Sequence, residues 1–208
     1  LRHAIFFNPR NWFRLASANY SRGDLYADYF AHRLFGDATF ADLERAGDGP
    51  FVLVNATELG TGGRLEFTQD TFDQLCIDLD RFPLGRAVAA SSAFPVVVAP
   101  LTLRNRAGQC GYALPAWIGA TLASGERSTR EYQYAYRVSS WQQPERFRYL
   151  HLVDGALADN LGIRPALDAA MVQRDPQRLR DLFGIGPGTR IAFVIVNAAG
   201  AGGEALAQ

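Results

Sequence analysis

Two rhythms of apolar positions alternate along the chain, and each change of rhythm marks an element boundary. Asn11 to Ala18 reads as a short helix following Pro9, and Leu25 to Phe35 as a second, with Asp24 as N-cap and Gly36 as its stop. After Asp48-Gly49-Pro50, the run Phe51-Val52-Leu53-Val54 is continuous, apolar and rich in Val, which predicts a buried strand. Gly60-Thr61-Gly62-Gly63 predicts a turn, and Arg64 to Thr68 alternates as a strand able to pair back. From Thr71 the period lengthens. Phe72, Leu75, Cys76 and Leu79 fall at i, i+3, i+4 and i+7, one face of a helix. Pro83 opens an Ala-rich helix, Leu84 to Ala93, which Pro95 ends.

Further on, Val96 to Leu103 is extended and a Gly-containing turn runs from Asn105 to Gly111. Ala116 to Trp141 is helical in composition, with a break near Ser124-Gly125. Phe147 to Val153 is a second apolar strand. Helices are expected from Pro165 to Gln173 and from Gln177 to Phe183, a strand from Ile191 to Val196, and a frayed small-residue tail from Ala198 to Gln208. Strands that alternate with helices and are continuously apolar predict an α/β fold on a buried, largely parallel sheet. No repeat and no composition break marks a domain boundary.

Composition narrows the chemistry. The 208 residues suit one domain, and 48% hydrophobic against 20% charged excludes a disordered chain. Basic and acidic residues balance at 21 each, so net charge draws in neither nucleic acid nor an anionic membrane. Every basic residue is Arg. Without Lys there is no Walker-A lysine, no Schiff base and no S-x-x-K nucleophile within the chain. Three His and two distant Cys, Cys76 and Cys110, give no zinc-ligand spacing, and no metal or cofactor is expected. The two thiols suit either a disulfide or two small buried apolar residues. The longest apolar run, Ala93 to Leu101, is interrupted by Pro95 and Pro100 and falls far short of a membrane span. The opening Leu1-Arg2-His3 has no apolar h-region behind it, and a start without Met suggests processing or a fragment.

Asp154 is the most informative residue. It closes the strand Phe147 to Val153 and is followed at once by Gly155-Ala156. A carboxylate at the carboxyl end of a strand is placed to face a crevice, where burial would make it a better base. The competing reading is a loop cap that accepts backbone N–H bonds. His151 lies three positions back, on the opposite face of a regular strand, and reads as a satisfied sheet histidine; His3 and His32 have no carboxylate pattern around them. The chain contains no G-x-S-x-G. Ser91-Ser92 sits inside the Ala-rich helix and reads as packing, Gly60 to Gly63 as a hairpin turn rather than a dinucleotide loop, and Asp78 with Asp80 as a solvated pair.

Three blocks together resemble the patatin-like lipid acyl hydrolases. Val54-Asn55-Ala56-Thr57-Glu58-Leu59 is similar to the family's N-A-T-D-L segment, with Glu58 where an Asp is common. Ala87 to Pro95 resembles the A-S-S-A-x-P helix end. Leu152-Val153-Asp154-Gly155-Ala156, with Asn160-Leu161-Gly162 behind it, resembles the D-G-[GA] block and its following turn. The resemblance implies a three-layer α/β/α fold with a mostly parallel sheet, and a Ser–Asp dyad in which Asp154 is the general base and Gly155 shapes its loop. It places the nucleophilic Ser and the oxyanion loop before the matching blocks, so this chain is expected to be the C-terminal part of such a domain. The sheet would then be incomplete on its N-terminal side, and the fragment inactive alone. It further implies an acyl-ester lipid substrate, peripheral membrane contact, no nucleic acid, and a membrane-associated or exported setting rather than the cytoplasm, which a Cys76–Cys110 disulfide would favour. A non-catalytic module that binds lipid or a partner is the second reading. The aromatic run Tyr132, Tyr134 and Tyr136 is expected to pack in the core, with an acyl cleft as its alternative.

Overall fold

A computed structural model describes residues 9–17, 20–47, 52–95 and 98–165. The chain divides into two compact units, Leu1–Asn160 and Leu161–Gln208. Only 161–165 are described in the second unit, so the expected helices and strand beyond Pro165, and the tail, lie outside the described residues.

The first described elements of the first unit are α1 (Pro9–Leu15) and α2 (Arg22–Phe30), which continues as a π-helical turn, Ala31–Phe35. Gly36, at φ 58°, ends it as expected. The N-cap is Ser21 rather than Asp24: the two form a capping box, Ser21 Oγ accepting the Asp24 N–H while the Asp24 carboxylate accepts the Ser21 N–H. Next come α3 (Phe40–Arg45), β1 (Asn55–Glu58), β2 (Gly63–Glu66), α4 (Gln69–Gln74) and α5 (Leu84–Ser91). The first strand therefore falls on the polar block Asn55 to Glu58, and not on the apolar run before it. The periodicity from Phe72 to Leu79 is likewise not one helix. Chain direction changes at Cys76, which sits in the left-handed region at φ 52° and is disulfide-bonded to Cys110.

The remainder of the unit is β3 (Leu101–Arg104), α6 (Ala116–Ser124), α7 (Arg130–Trp141), β4 (Tyr149–Asp154) and the short α8 (Ala156–Asp159). Gly125, at φ 73°, makes the expected break between α6 and α7.

The fold is mixed α/β, but the sheet corrects the parallel expectation. Its order is β2-β1-β4-β3, and every described pairing is antiparallel. Between β1 and β2 the cause is local, because a four-residue turn can only reverse the chain. β4 then enters between β1 and β3, antiparallel to both. Along β3 and the first four residues of β4 burial alternates: Leu101, Leu103, Leu150 and Leu152 are buried, while Thr102, Arg104, Tyr149 and His151 are exposed; the alternation ends at Val153, which is buried opposite the buried Thr57. One solvated face is what antiparallel pairing permits and buried parallel strands do not.

On the buried face, these four leucines join Ala56 and Leu65 against Ala87, Ala89 and Ala90 of α5. Small residues let the helix lie close to the sheet. Phe40, Phe67, Phe72 and Phe82 form the other half of this core, with ring centroids 5.2 to 6.3 Å apart.

Candidate active site

Asp154 is the last residue of β4, at the end of the sheet where β1 begins, with Ala56 as its cross-strand partner. Its backbone is fixed from both sides. The Asp154 N–H donates to the Ala93 carbonyl at 3.0 Å and the Gly155 N–H to the Ser91 carbonyl at 3.0 Å, so the end of α5 is tied to the turn. From β1, the Thr57 hydroxyl donates to the Asp154 carbonyl at 2.8 Å and accepts the Ala158 N–H at 3.1 Å. The carboxylate accepts the Ala156 N–H through Oδ1 at 2.9 Å. Half-buried, it makes no other hydrogen bond among the described residues. One carboxylate oxygen therefore holds the turn, and the other makes no hydrogen bond among the described residues.

Gly155 has φ −63° and ψ −25°, a helical conformation open to any residue. What it supplies is space, since a Cβ here would lie 2.6 Å from the Asn55 carbonyl oxygen. Asn55 Oδ1 is itself buried and without a hydrogen-bond partner among the described residues.

Beneath the turn runs a charged cluster that sequence reading passes over. Thr57 and Arg64 are cross-strand partners and share a face of the β1–β2 hairpin. Arg64, buried, pairs with Glu66 beside it and approaches the equally buried Asp159 of α8 at 3.8 Å. Two buried charges of opposite sign connect β2 to the helix that follows Asp154. The signal was present in the sequence, since Asp159 stands in the D-G-A-L-A-D-N block, but only the fold shows that Arg64 meets it.

Glu58, where the family commonly has Asp, is 1% exposed. Its carboxylate accepts the Gly60 N–H at 2.6 Å, the Thr61 N–H at 2.9 Å and the Thr61 hydroxyl at 2.8 Å, which closes the hairpin turn. Its place is at the opposite end of β1 from Asp154, so the substitution alters a turn and leaves the site alone. His151 lies on the exposed face with Nδ1 3.0 Å from Thr102 Oγ1, as a sheet histidine should. Ser92 caps α5, its hydroxyl donating to the Val88 carbonyl at 2.6 Å. Tyr134 stacks on Trp117, Tyr132 and Tyr134 are only partly buried and Tyr136 is exposed, so the aromatic run lies outside the core in which it was expected.

A cleft of about 460 Å³, lined by Phe40, Leu43, Val52, Phe67 and Leu79 among others, opens beside α3; Asp154 is not among its lining residues. Among the described residues, no cluster of three or more His, Cys, Asp or Glu could hold a metal, and no helix is long and apolar enough to cross a membrane.

An acid on a central strand end, held by a hairpin and a small-residue helix, defines an α/β protein with a carboxylate-centred site. The patatin-like phospholipase family model matches residues 2–167, and the chain belongs to this family of lipid acyl hydrolases. The match takes in the N-terminal helices as well as the three motif blocks. Searches of the curated proteins and of the solved structures gave no match.

Proposed function

We propose that this chain contributes the general base, Asp154, to hydrolysis of carboxylic esters of lipids by a Ser–Asp dyad. The serine is one that these 208 residues do not supply on a G-x-S-x-G elbow. The observation that carries this reading is the placement of Asp154. Four hydrogen bonds hold the 154–158 turn, two of them to the backbone of Asp154 itself, and one carboxylate oxygen is tied to Ala156, so the other can accept a proton without the turn giving way.

In the proposed cycle the serine Oγ attacks the ester carbonyl as its proton passes to Asp154. The tetrahedral oxyanion is held by backbone N–H groups. Collapse breaks the ester C–O bond, and the departing alcohol takes the proton from Asp154. Water then attacks the acyl-enzyme, its proton going to Asp154 and from there to the serine. A positioned base of this kind contributes about 10²- to 10⁴-fold.

Two settings accompany the reading. Exposed Trp12 and Phe13 on α1, with Phe94 and Leu157 exposed beside the Asp154 turn, support contact with a lipid surface. The Cys76–Cys110 disulfide supports an oxidising, exported location.

The test is turnover of a p-nitrophenyl ester by the full-length product of the gene, its Asp154→Asn variant, and the 208 residues alone. The expected result is activity in the first, loss by about 10²-fold or more in the second, and none in the third. Activity in all three would refute the base assignment. Activity of the 208 residues that Asp154→Asn abolishes would overturn the external serine. A full-length product that a fluorophosphonate does not label and that turns over no ester would leave the binding module as the function.

A further inference from the structure

Thr57 stands in no catalytic position, yet its hydroxyl is used twice at the site. It is buried on β1 and bridges the two ends of the turn that carries the base, donating to the carbonyl of Asp154 and accepting the N–H of Ala158. The Ala158 N–H shows why the bridge is needed. α8 has only four residues, and Gly155 at its N-cap offers no side-chain oxygen. The orphan N–H groups of its first turn must therefore find acceptors elsewhere. Asp154 Oδ1 accepts from Ala156, the Gly155 carbonyl accepts from Asp159 and, at 3.2 Å, from Ala158, and Thr57 Oγ1 is the second acceptor for Ala158.

The carboxylate is thus both base and cap, and the cap is shared with Thr57. Behind them the Arg64–Asp159 contact anchors the far end of α8 to β2.

We infer that Thr57 is a positioning residue for the general base: its hydroxyl fixes the Asp154–Ala158 turn and with it the direction of the carboxylate. This rests on the assignment of Asp154 above and adds to it a residue that touches neither substrate nor nucleophile. Without the hydroxyl, the Ala158 N–H is left with the 3.2 Å contact to the Gly155 carbonyl, and the carbonyl of Asp154 loses a donor. The turn is then free to rotate Oδ1 towards Ala158, which changes the direction of the other carboxylate oxygen.

The experiment compares Thr57→Val, which keeps the side-chain shape and removes the hydroxyl, with Thr57→Ser, which keeps the hydroxyl. Both are made in the full-length product, with and without Asp154→Asn. Thr57→Val is expected to lower kcat by about 10- to 100-fold, the range for misplacing a catalytic group through its support, with KM changed little. Thr57→Ser retains most of the rate. In the Asp154→Asn background, Thr57→Val should produce almost no further loss, because the group it positions is already gone.

Equal fractional losses in both backgrounds would show a purely structural role and overturn the inference. So would an unchanged kcat in Thr57→Val while Asp154→Asn abolishes turnover. A full rate in Asp154→Asn itself would instead refute the base assignment. If the valine variant does not fold, Thr57→Ala takes its place with the same outcomes.

Discussion

Replacing Gly155 by Ala tests whether the turn is held by close approach. The added Cβ would sit 2.6 Å from the Asn55 carbonyl oxygen, where ordinary contact begins near 3.4 Å. β1 and the turn must therefore separate by roughly 0.8 Å, an overpacking that costs about 1–3 kcal/mol. The displacement falls on three hydrogen bonds already at 2.8 to 3.1 Å: Thr57 to Asp154, Gly155 to Ser91, and Ala158 to Thr57. Losing one or two of them adds about 1 kcal/mol each. A total near 3 kcal/mol lowers Tm by about 6–12 °C in a chain of this size. A base displaced by nearly 1 Å also costs up to about 10²-fold in turnover. The measurements are thermal melting by circular dichroism and ester hydrolysis, with Gly119→Ala as control. Gly119 lies within α6 with open space around its Cβ position, so the same substitution there is neutral or stabilising by about 0.5–1 kcal/mol. A Gly155→Ala variant that melts and turns over like the wild type would refute the steric account of this glycine.

The disulfide closes a loop of 34 residues, worth about 4 kcal/mol through the unfolded chain; the Cys76→Ser/Cys110→Ser variant should melt well below the oxidised protein, and equal melting temperatures would refute that contribution. Asp24 gives a pH prediction. Burial raises its pKa, but the N–H and hydroxyl of Ser21 and the Arg86 guanidinium outweigh that and hold it below 3.8. A carboxylate depressed on folding stabilises above its unfolded pKa, about 3.9, and the contribution is lost as pH falls through the folded value. Asp24→Asn should therefore be less stable than wild type at pH 7 and show a smaller difference near pH 2; a gap that is constant with pH would refute the linkage.

What the sequence disclosed follows from how local each cause is. Gly36, Gly125 and the Gly60 to Gly63 turn act within a few residues, and all three stand where the pattern placed them. The strand end at Asp154 was legible for the same reason, whereas the Ala-rich helix, expected to run to Ala93 with Ser91-Ser92 inside it, ends at Ser91 with Ser92 as its C-cap. Sheet direction was not, because it depends on β4 entering between strands far from it in the chain. The helix expected from Phe72 to Leu79 failed at Cys76, whose left-handed backbone accompanies a bond to a residue 34 positions on. The strand-end position of Asp154 could be read from its motif, whereas the contacts of Thr57 and the Arg64–Asp159 pair emerge only when the hairpin and α8 are brought together. Their residue types alone carry no hint of the partnership.

The strand order β2-β1-β4-β3 has a consequence for biosynthesis. The hairpin leaves the ribosome before β4, and about 90 residues separate the end of β1 from the start of β4. At roughly 5–20 residues per second, β1 waits some 5–18 seconds with an unfilled edge before its partner is translated. Cys76 and Cys110 both emerge within that interval, so an oxidase could close their loop while the place between β1 and β3 is still vacant. Asp154 is the last residue of the last strand described, and it is set in place when this gap is filled. A nascent chain stalled short of Tyr149 would hold most of the apolar core and lack the turn at Asp154 altogether.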